Sequence, residues 1–253
     1  MTIGKQHYLD AMGIQTWIRR DQPVPVESAT LDNSQIMTED QTVELTIARK
    51  PGNRDLPPGD RVSNYNWPQL KSAVSQCIAC ELHETRKNTV FGVGNEQADW
   101  MVIGEAPGAD EDRQGEPFVG KAGQLLNNML LAVGLKREQV YIANILKCRP
   151  PNNRDPRPEE VVKCEPFLQR QVELVNPKII LAVGRIAAHN LLKTDVSLSK
   201  LRGKIYYYGE FETPLIVTFH PAYLLRSPQE KRRAWQDLLL AKSVSLGTSV
   251  KDI

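Results

Sequence analysis

Four cysteines are the first residues in this 253-residue chain that call for a chemical explanation: Cys77, Cys80, Cys148 and Cys164, with no others. The first two are spaced C-x-x-C, and fifteen residues separate the second two. The opening MTIGKQHYLD has no apolar signal core, so a cytoplasmic protein is expected, and such a chain does not hold its thiols as disulfides. A closed set of four, one pair at a helix end and two beside a strand–helix unit, argues that all four thiolates ligate one metal centre. Spacing does not choose between zinc and [4Fe–4S], because both accept four thiolates. Three further motifs carry polar chemistry. Gly104-Glu105-Ala106-Pro107-Gly108 is a glycine-bounded turn that lets backbone N–H groups approach a ligand closely. It lacks Gly-Lys-Ser/Thr, so it is not a phosphate loop. Asn144 opens Asn144–Pro150, and its carboxamide offers one donor face and one acceptor at once. His220 opens His220–Leu225; a neutral imidazole can donate a hydrogen bond to an oxygen on which negative charge grows.

These motifs need elements to hold them. Helices are expected over 67–76, 122–133, 158–175 (opened by Pro158 and stopped before Pro177), after Gly184, and over 229–243. Strands are expected at 100–104, 140–145, 179–183, 205–208 and 215–219; Ile179–Val183 is a continuous apolar run typical of a buried parallel strand. Strands alternating with helices imply an α/β fold, a three-layer α/β/α sandwich around a central parallel sheet. In such sheets ligands bind outside the carboxyl ends of the strands, where all three polar motifs fall.

Composition sets the limits. The hydrophobic fraction is 41%, and no stretch of 18 apolar residues exists, so no transmembrane helix is expected. Net charge is +2, but residues 21–45 hold six acids (Asp21, Glu27, Asp32, Glu39, Asp40, Glu44) and no Lys or Arg, which leaves +2 − (−6) = +8 elsewhere. A basic body is compatible with a nucleic-acid partner. Four segments are expected: a short amphipathic element at 1–20, an acidic, proline-containing linker at 21–65, a folded body at 66–247 and a tail at 248–253.

The runs GEAPGADEDRQGEPFVGKAGQLL (104–126), NILKCRPPNNRDPRPEE (144–160) and HPAYLL (220–225), in this order with the four cysteines, strongly resemble the family 4 uracil-DNA glycosylases over about residues 70–245. The resemblance implies a uracil-DNA glycosylase-like sandwich, a [4Fe–4S] cluster on Cys77, Cys80, Cys148 and Cys164, and excision of uracil from single- or double-stranded DNA by a monofunctional enzyme acting as a monomer. In that setting Asn144 reads the flipped base, donating toward O4 and accepting from N3–H. Phe118 is the stacking platform. Backbone groups of Gly104, Glu105 and Ala106 meet the base near O2, and His220 donates to O2 as the base departs. In the distant family 1 enzymes an aspartate sits where Ala106 falls and helps place water. Here Glu105 or Glu111 could supply that carboxylate, and Glu111 could equally guard against the thymine methyl. Leu224 and Leu225, on an exposed turn, suit a wedge that fills the gap left by a flipped base, with Arg226, Lys231, Arg232 and Arg233 as phosphate contacts.

Other readings stand beside this one. A related class captures the abasic sugar through a histidine in a Lys-Arg-Arg-Ile-His insert; the segment RPPNNRDPRPEE after Cys148 has none. A non-catalytic iron–sulfur DNA-binding module associated with replication, like the domain attached to some phage polymerases, would not need Asn144, Phe118 and His220 together. An electron carrier would show reversible cluster redox without base excision. Finally, LDAMGIQTW within residues 1–20 loosely resembles the peptide by which a small clamp-loader subunit attaches to a replicase, so a replisome contact is expected there.

Overall fold

The structure, a computed structural model, describes residues 62–248. The 1–20 element, all of the 21–65 linker but its last four residues, and the tail beyond 248 lie outside them. Six strands, β1 (Val93–Gly94), β2 (Trp100–Gly104), β3 (Tyr141–Asn144), β4 (Ile179–Val183), β5 (Ile205–Tyr208) and β6 (Thr213–Thr218), form one sheet in the order β1-β3-β2-β4-β6-β5. The four central strands are parallel, as expected; β1 and β5 run antiparallel at the two edges.

The helices are α1 (Trp67–Ser75), α2 (Leu82–Thr85), α3 (Ala109–Gln114), α4 (Lys121–Ala132), α5 (Pro158–Val175), α6 (Arg185–Leu192), α7 (Leu198–Leu201), α8 (Pro221–Arg226) and α9 (Lys231–Leu246). Every residue of β2, β3 and β4 is buried, because helices cover both sheet faces. Strand alternation divides the core in two. Trp100, Val102, Ile142 and Leu181 meet Leu126, Met129 and Leu130 of α4 and Leu238 of α9. Met101, Ile103, Ala143 and Ile180 meet Val161, Leu168 and Val172 of α5 and Ala187 of α6. A third cluster, Leu70 and Val74 of α1 against Phe167 of α5, docks the first helix and so brings Cys77 to Cys164. Among the described residues no helix is long and apolar enough to cross a membrane.

Four short helices, α2, α3, α7 and α8, escaped the sequence reading, and the last of them overturns an expectation. HPAYLL does not form an exposed turn: Pro221 starts α8, and Leu224 is fully buried against α4 and α9. Of the expected leucine pair, only Leu225 is exposed. The helical period explains the split, since adjacent residues on a one-and-a-half-turn helix point about 100° apart. The last helix starts two residues later than expected, after a 3-10 turn at Pro228–Glu230.

The topology places the site. From β2 the chain moves to β3 on one side and then returns to β4 on the other, so connections diverge at the carboxyl ends of β2 and β4. Register sets Gly104 opposite Asn144 and Val183 opposite Thr218. Gly104, Asn144, Gly184 and His220 therefore reach the same edge.

Candidate active site

A cavity of about 420 Å³ opens at this edge, and Glu105, Phe118, Asn144, Asp155, His220 and Arg226 are among the residues lining it. Asn144 is 2% exposed, and its Oδ1 has no hydrogen-bond partner. An orphaned buried acceptor costs about 1–3 kcal/mol, so it marks a place where a ligand donor is wanted. The Ile145 and Leu146 amides donate to the Gly104 and Glu105 carbonyls (3.0 and 3.1 Å), fastening the chain after Asn144 to the turn after β2. Gly104 must be glycine: a Cβ there would lie 2.4 Å from Asn144 Oδ1 and 2.6 Å from Phe118 Cζ.

Phe118 sits in the left-handed region at φ 54°, a strained conformation for an aromatic residue. Its surroundings impose this. Arg137 donates to the carbonyls of Pro117 (2.6 Å) and Phe118 (3.3 Å), and Gly123 passes so close that a Cβ would meet the Phe118 carbonyl oxygen at 1.7 Å. The ring stacks toward His220, centroids 5.6 Å apart.

His220 caps α8: its Nδ1 accepts from the Ala222 amide at 3.1 Å. That bond leaves the proton on Nε2, which becomes a donor. Burial, aided by Arg226 and opposed by Glu111, pushes the imidazole down to about 4, so it stays neutral at physiological pH. Behind it, the Gly184 backbone at φ 97° leaves room that a Cβ, 2.9 Å from His220 Cβ, would take.

The two candidate carboxylates differ. Glu111 uses both oxygens on main-chain N–H groups, Oε2 on Gly108 (3.1 Å) and Oε1 on Val119 (3.1 Å) and Gly120 (3.4 Å). It braces the turn after β2 against the loop that carries Phe118. Glu105 is pushed up to about 7, first by burial and then by Asp155, against the pull of Arg185. Asp155 was not singled out from the sequence. It stands in the loop after Cys148, which ion pairs hold at both sides: Arg185 to Asp155 (2.7 Å) and Arg154 to the buried Glu160 (2.9 and 2.5 Å). Arg185 and Asp155 are thirty residues apart, and nothing in the sequence links them. Arg226 lines the cavity mouth, while Arg233 pairs with Glu230 and lies 6.0 Å over the Phe219 ring.

On the opposite side of β3, all four cysteines line one apolar cavity with Val74, Leu82, Leu146 and Phe167. Among the described residues, no three His, Cys, Asp or Glu side chains converge on a single metal point. Two sulfurs already accept hydrogen bonds, Cys148 from Arg86 (3.0 Å) and Cys164 from the Lys147 amide (3.3 Å). Burial pushes the Cys164 thiol up to about 12, so ionising it requires a strong positive partner. Lys147, fully buried between Asn144 and Cys148, was also missed; its only sequence signal is its place next to a cysteine.

The family model of the Uracil DNA glycosylase superfamily matches residues 91–239, which contain Glu105, Phe118, Asn144 and His220. The chain is 50% identical over 162 residues to the Type-4 uracil-DNA glycosylase of Archaeoglobus fulgidus, covering 62% of this chain and 81% of that one. It is 46% identical over 178 residues to the Type-4 uracil-DNA glycosylase of Thermotoga maritima, covering 69% and 92%. A 30% match over 174 residues relates 68% of this chain to 18% of a DNA polymerase of Bacillus phage SP01. With motifs, fold and site in one register, this chain belongs to the uracil-DNA glycosylase superfamily, among its type-4 members.

Proposed function

We propose that this chain hydrolyses the N-glycosidic bond of deoxyuridine in DNA, releasing uracil and leaving an abasic site. The observation that carries this reading is the buried, unpartnered Oδ1 of Asn144, in one cavity with Phe118 and His220. The base is stacked in DNA and must be flipped out to reach such a pocket. There Asn144 accepts from N3–H and donates toward O4, Phe118 stacks on the ring, and His220 Nε2–H donates to O2 as negative charge accumulates on the leaving base. Bond cleavage runs ahead of water attack, giving the sugar oxocarbenium character. Arg226 at the mouth contacts a phosphate, and the exposed Leu225 fills the vacated stack. The resemblance of LDAMGIQTW to a clamp-loader peptide is what supports a replication partner for residues 1–20. Incubation with a uracil-containing oligonucleotide, single- or double-stranded, tests the reading through release of free base.

Glu105 is the carboxylate that positions the water, since Glu111 is committed to main-chain donors. An ionised carboxylate is the competent form, so cleavage should fall as pH drops through about 7. Glu105→Gln should abolish that acidic limb and lower the plateau by roughly 10²–10⁴. A pH–rate profile unchanged in the variant would assign the water to another group.

The donor set fits a [4Fe–4S] cluster: four thiols surround one apolar cavity, and N–H groups are already directed at two of the sulfurs. Bound there, a cluster would tie α1 and the segment after it to β3 and α5. Purified protein should be brown with about four irons per chain, and Cys148→Ser should lose both iron and cooperative melting. A colourless, zinc-loaded and fully active protein would contradict this.

A further inference from the structure

Lys147 is unused by the reaction, yet its burial requires a reason. The side chain is 2% exposed, and Nζ donates to the main-chain oxygen of Asn144 (2.9 Å) and to Gln171 Oε1 (2.5 Å). Neither acceptor carries a charge. Gln171 is itself fixed, donating to the Phe91 carbonyl (2.8 Å) and to Tyr141 Oη (3.1 Å). Among the described ion pairs none involves Lys147, and no carboxylate faces its ammonium. A buried ammonium without an opposing charge is strongly disfavoured. The groups near it that can become anionic are sulfurs. Cys148 is the next residue, and Cys164 Sγ accepts from the Lys147 amide at 3.3 Å. On its other side, Lys147 grips the residue whose side chain carries the orphaned acceptor.

We propose that Lys147 is a positioning residue that couples the four-cysteine centre to the uracil reader. The anionic thiolates keep the ammonium in the interior, and the ammonium holds the end of β3 so that Asn144 faces the base. This rests on the cluster reading above. It gives the cluster a second consequence, because its net negative charge is what stabilises a cation behind the pocket.

Lys147→Met removes charge and donor together, whereas Lys147→Gln removes the charge and keeps a neutral donor one bond shorter. Both are to be compared with wild-type holoprotein in iron content, cluster midpoint potential, affinity for free uracil, and kcat against KM. Taking a positive charge away from an anionic centre makes it harder to reduce, so both variants should shift to a more negative potential. Lys147→Met should bind free uracil about tenfold more weakly, with Lys147→Gln between it and wild type. A packing role alone would lower the melting temperature without moving potential or uracil affinity. Iron-loaded Lys147→Met with wild-type potential and wild-type uracil affinity overturns the proposal. Loss of iron from both variants also overturns it, making Lys147 a residue of cluster assembly. Wild-type protein free of iron would instead sink the cluster reading itself.

Discussion

Replacing His220 by alanine is expected to slow glycosidic bond cleavage by about 10²–10³ while leaving the affinity for uracil-containing DNA nearly unchanged. The asymmetry follows from the tautomer. Nδ1 is occupied by the Ala222 amide, so Nε2 carries the proton, and burial keeps the ring neutral. A neutral donor gains most when the oxygen it meets becomes negative, which happens only as the bond breaks. The same substitution removes the cap of α8, at a cost of about 1 kcal/mol. His220→Asn, which restores a capping oxygen, separates the two effects: it should recover stability but not rate. Single-turnover rates in His220→Ala equal to wild type would remove this residue from the mechanism.

Asn144→Asp is expected to reduce uracil excision by a comparable or larger factor. In the proposed reading the amide donates toward O4 and accepts from N3–H; cytosine presents the reverse, an amine at C4 and an acceptor at N3. Wild-type protein is therefore expected to reject cytosine, since each mismatched buried polar group costs about 1–3 kcal/mol. An ionised aspartate repels O4 but accepts from the cytosine amine, so trace cytosine excision is expected to accompany the loss. Asn144→Ala should lose uracil activity without gaining any on cytosine. Wild-type uracil excision by Asn144→Asp, measured under single-turnover conditions, would assign base reading to another part of the pocket.

Much of this framework could be read from residue patterns. Ile179–Val183 announced a strand buried on both faces, and β2 and β3 followed from short apolar runs ended by turn residues. Asn144 and His220 stood out because each sits in a distinctive run at a strand end, whereas Phe118, between α3 and α4, stood out only through the family resemblance of its run; the structure brings all three to one cavity. What escaped depends on contacts between distant residues. Glu111 looks like any loop carboxylate until the Val119 and Gly120 amides, eight and nine residues away, turn toward it. Leu224 and Leu225 are identical in type, and only the packing of α8 on α4 and α9 decides which is buried. Asp155 acquires its place through Arg185, and Lys147 through Gln171 and Cys164; no local periodicity encodes either pairing.

The most direct measurement is base release from end-labelled oligonucleotides that carry one uracil, thymine or cytosine at the same position. The account predicts free uracil from the uracil strand, an abasic site that breaks only on later alkaline treatment, and no release from thymine or cytosine strands. Tight binding to the uracil strand without release of base, by iron-loaded protein, would contradict it and leave a binding module in place of an enzyme.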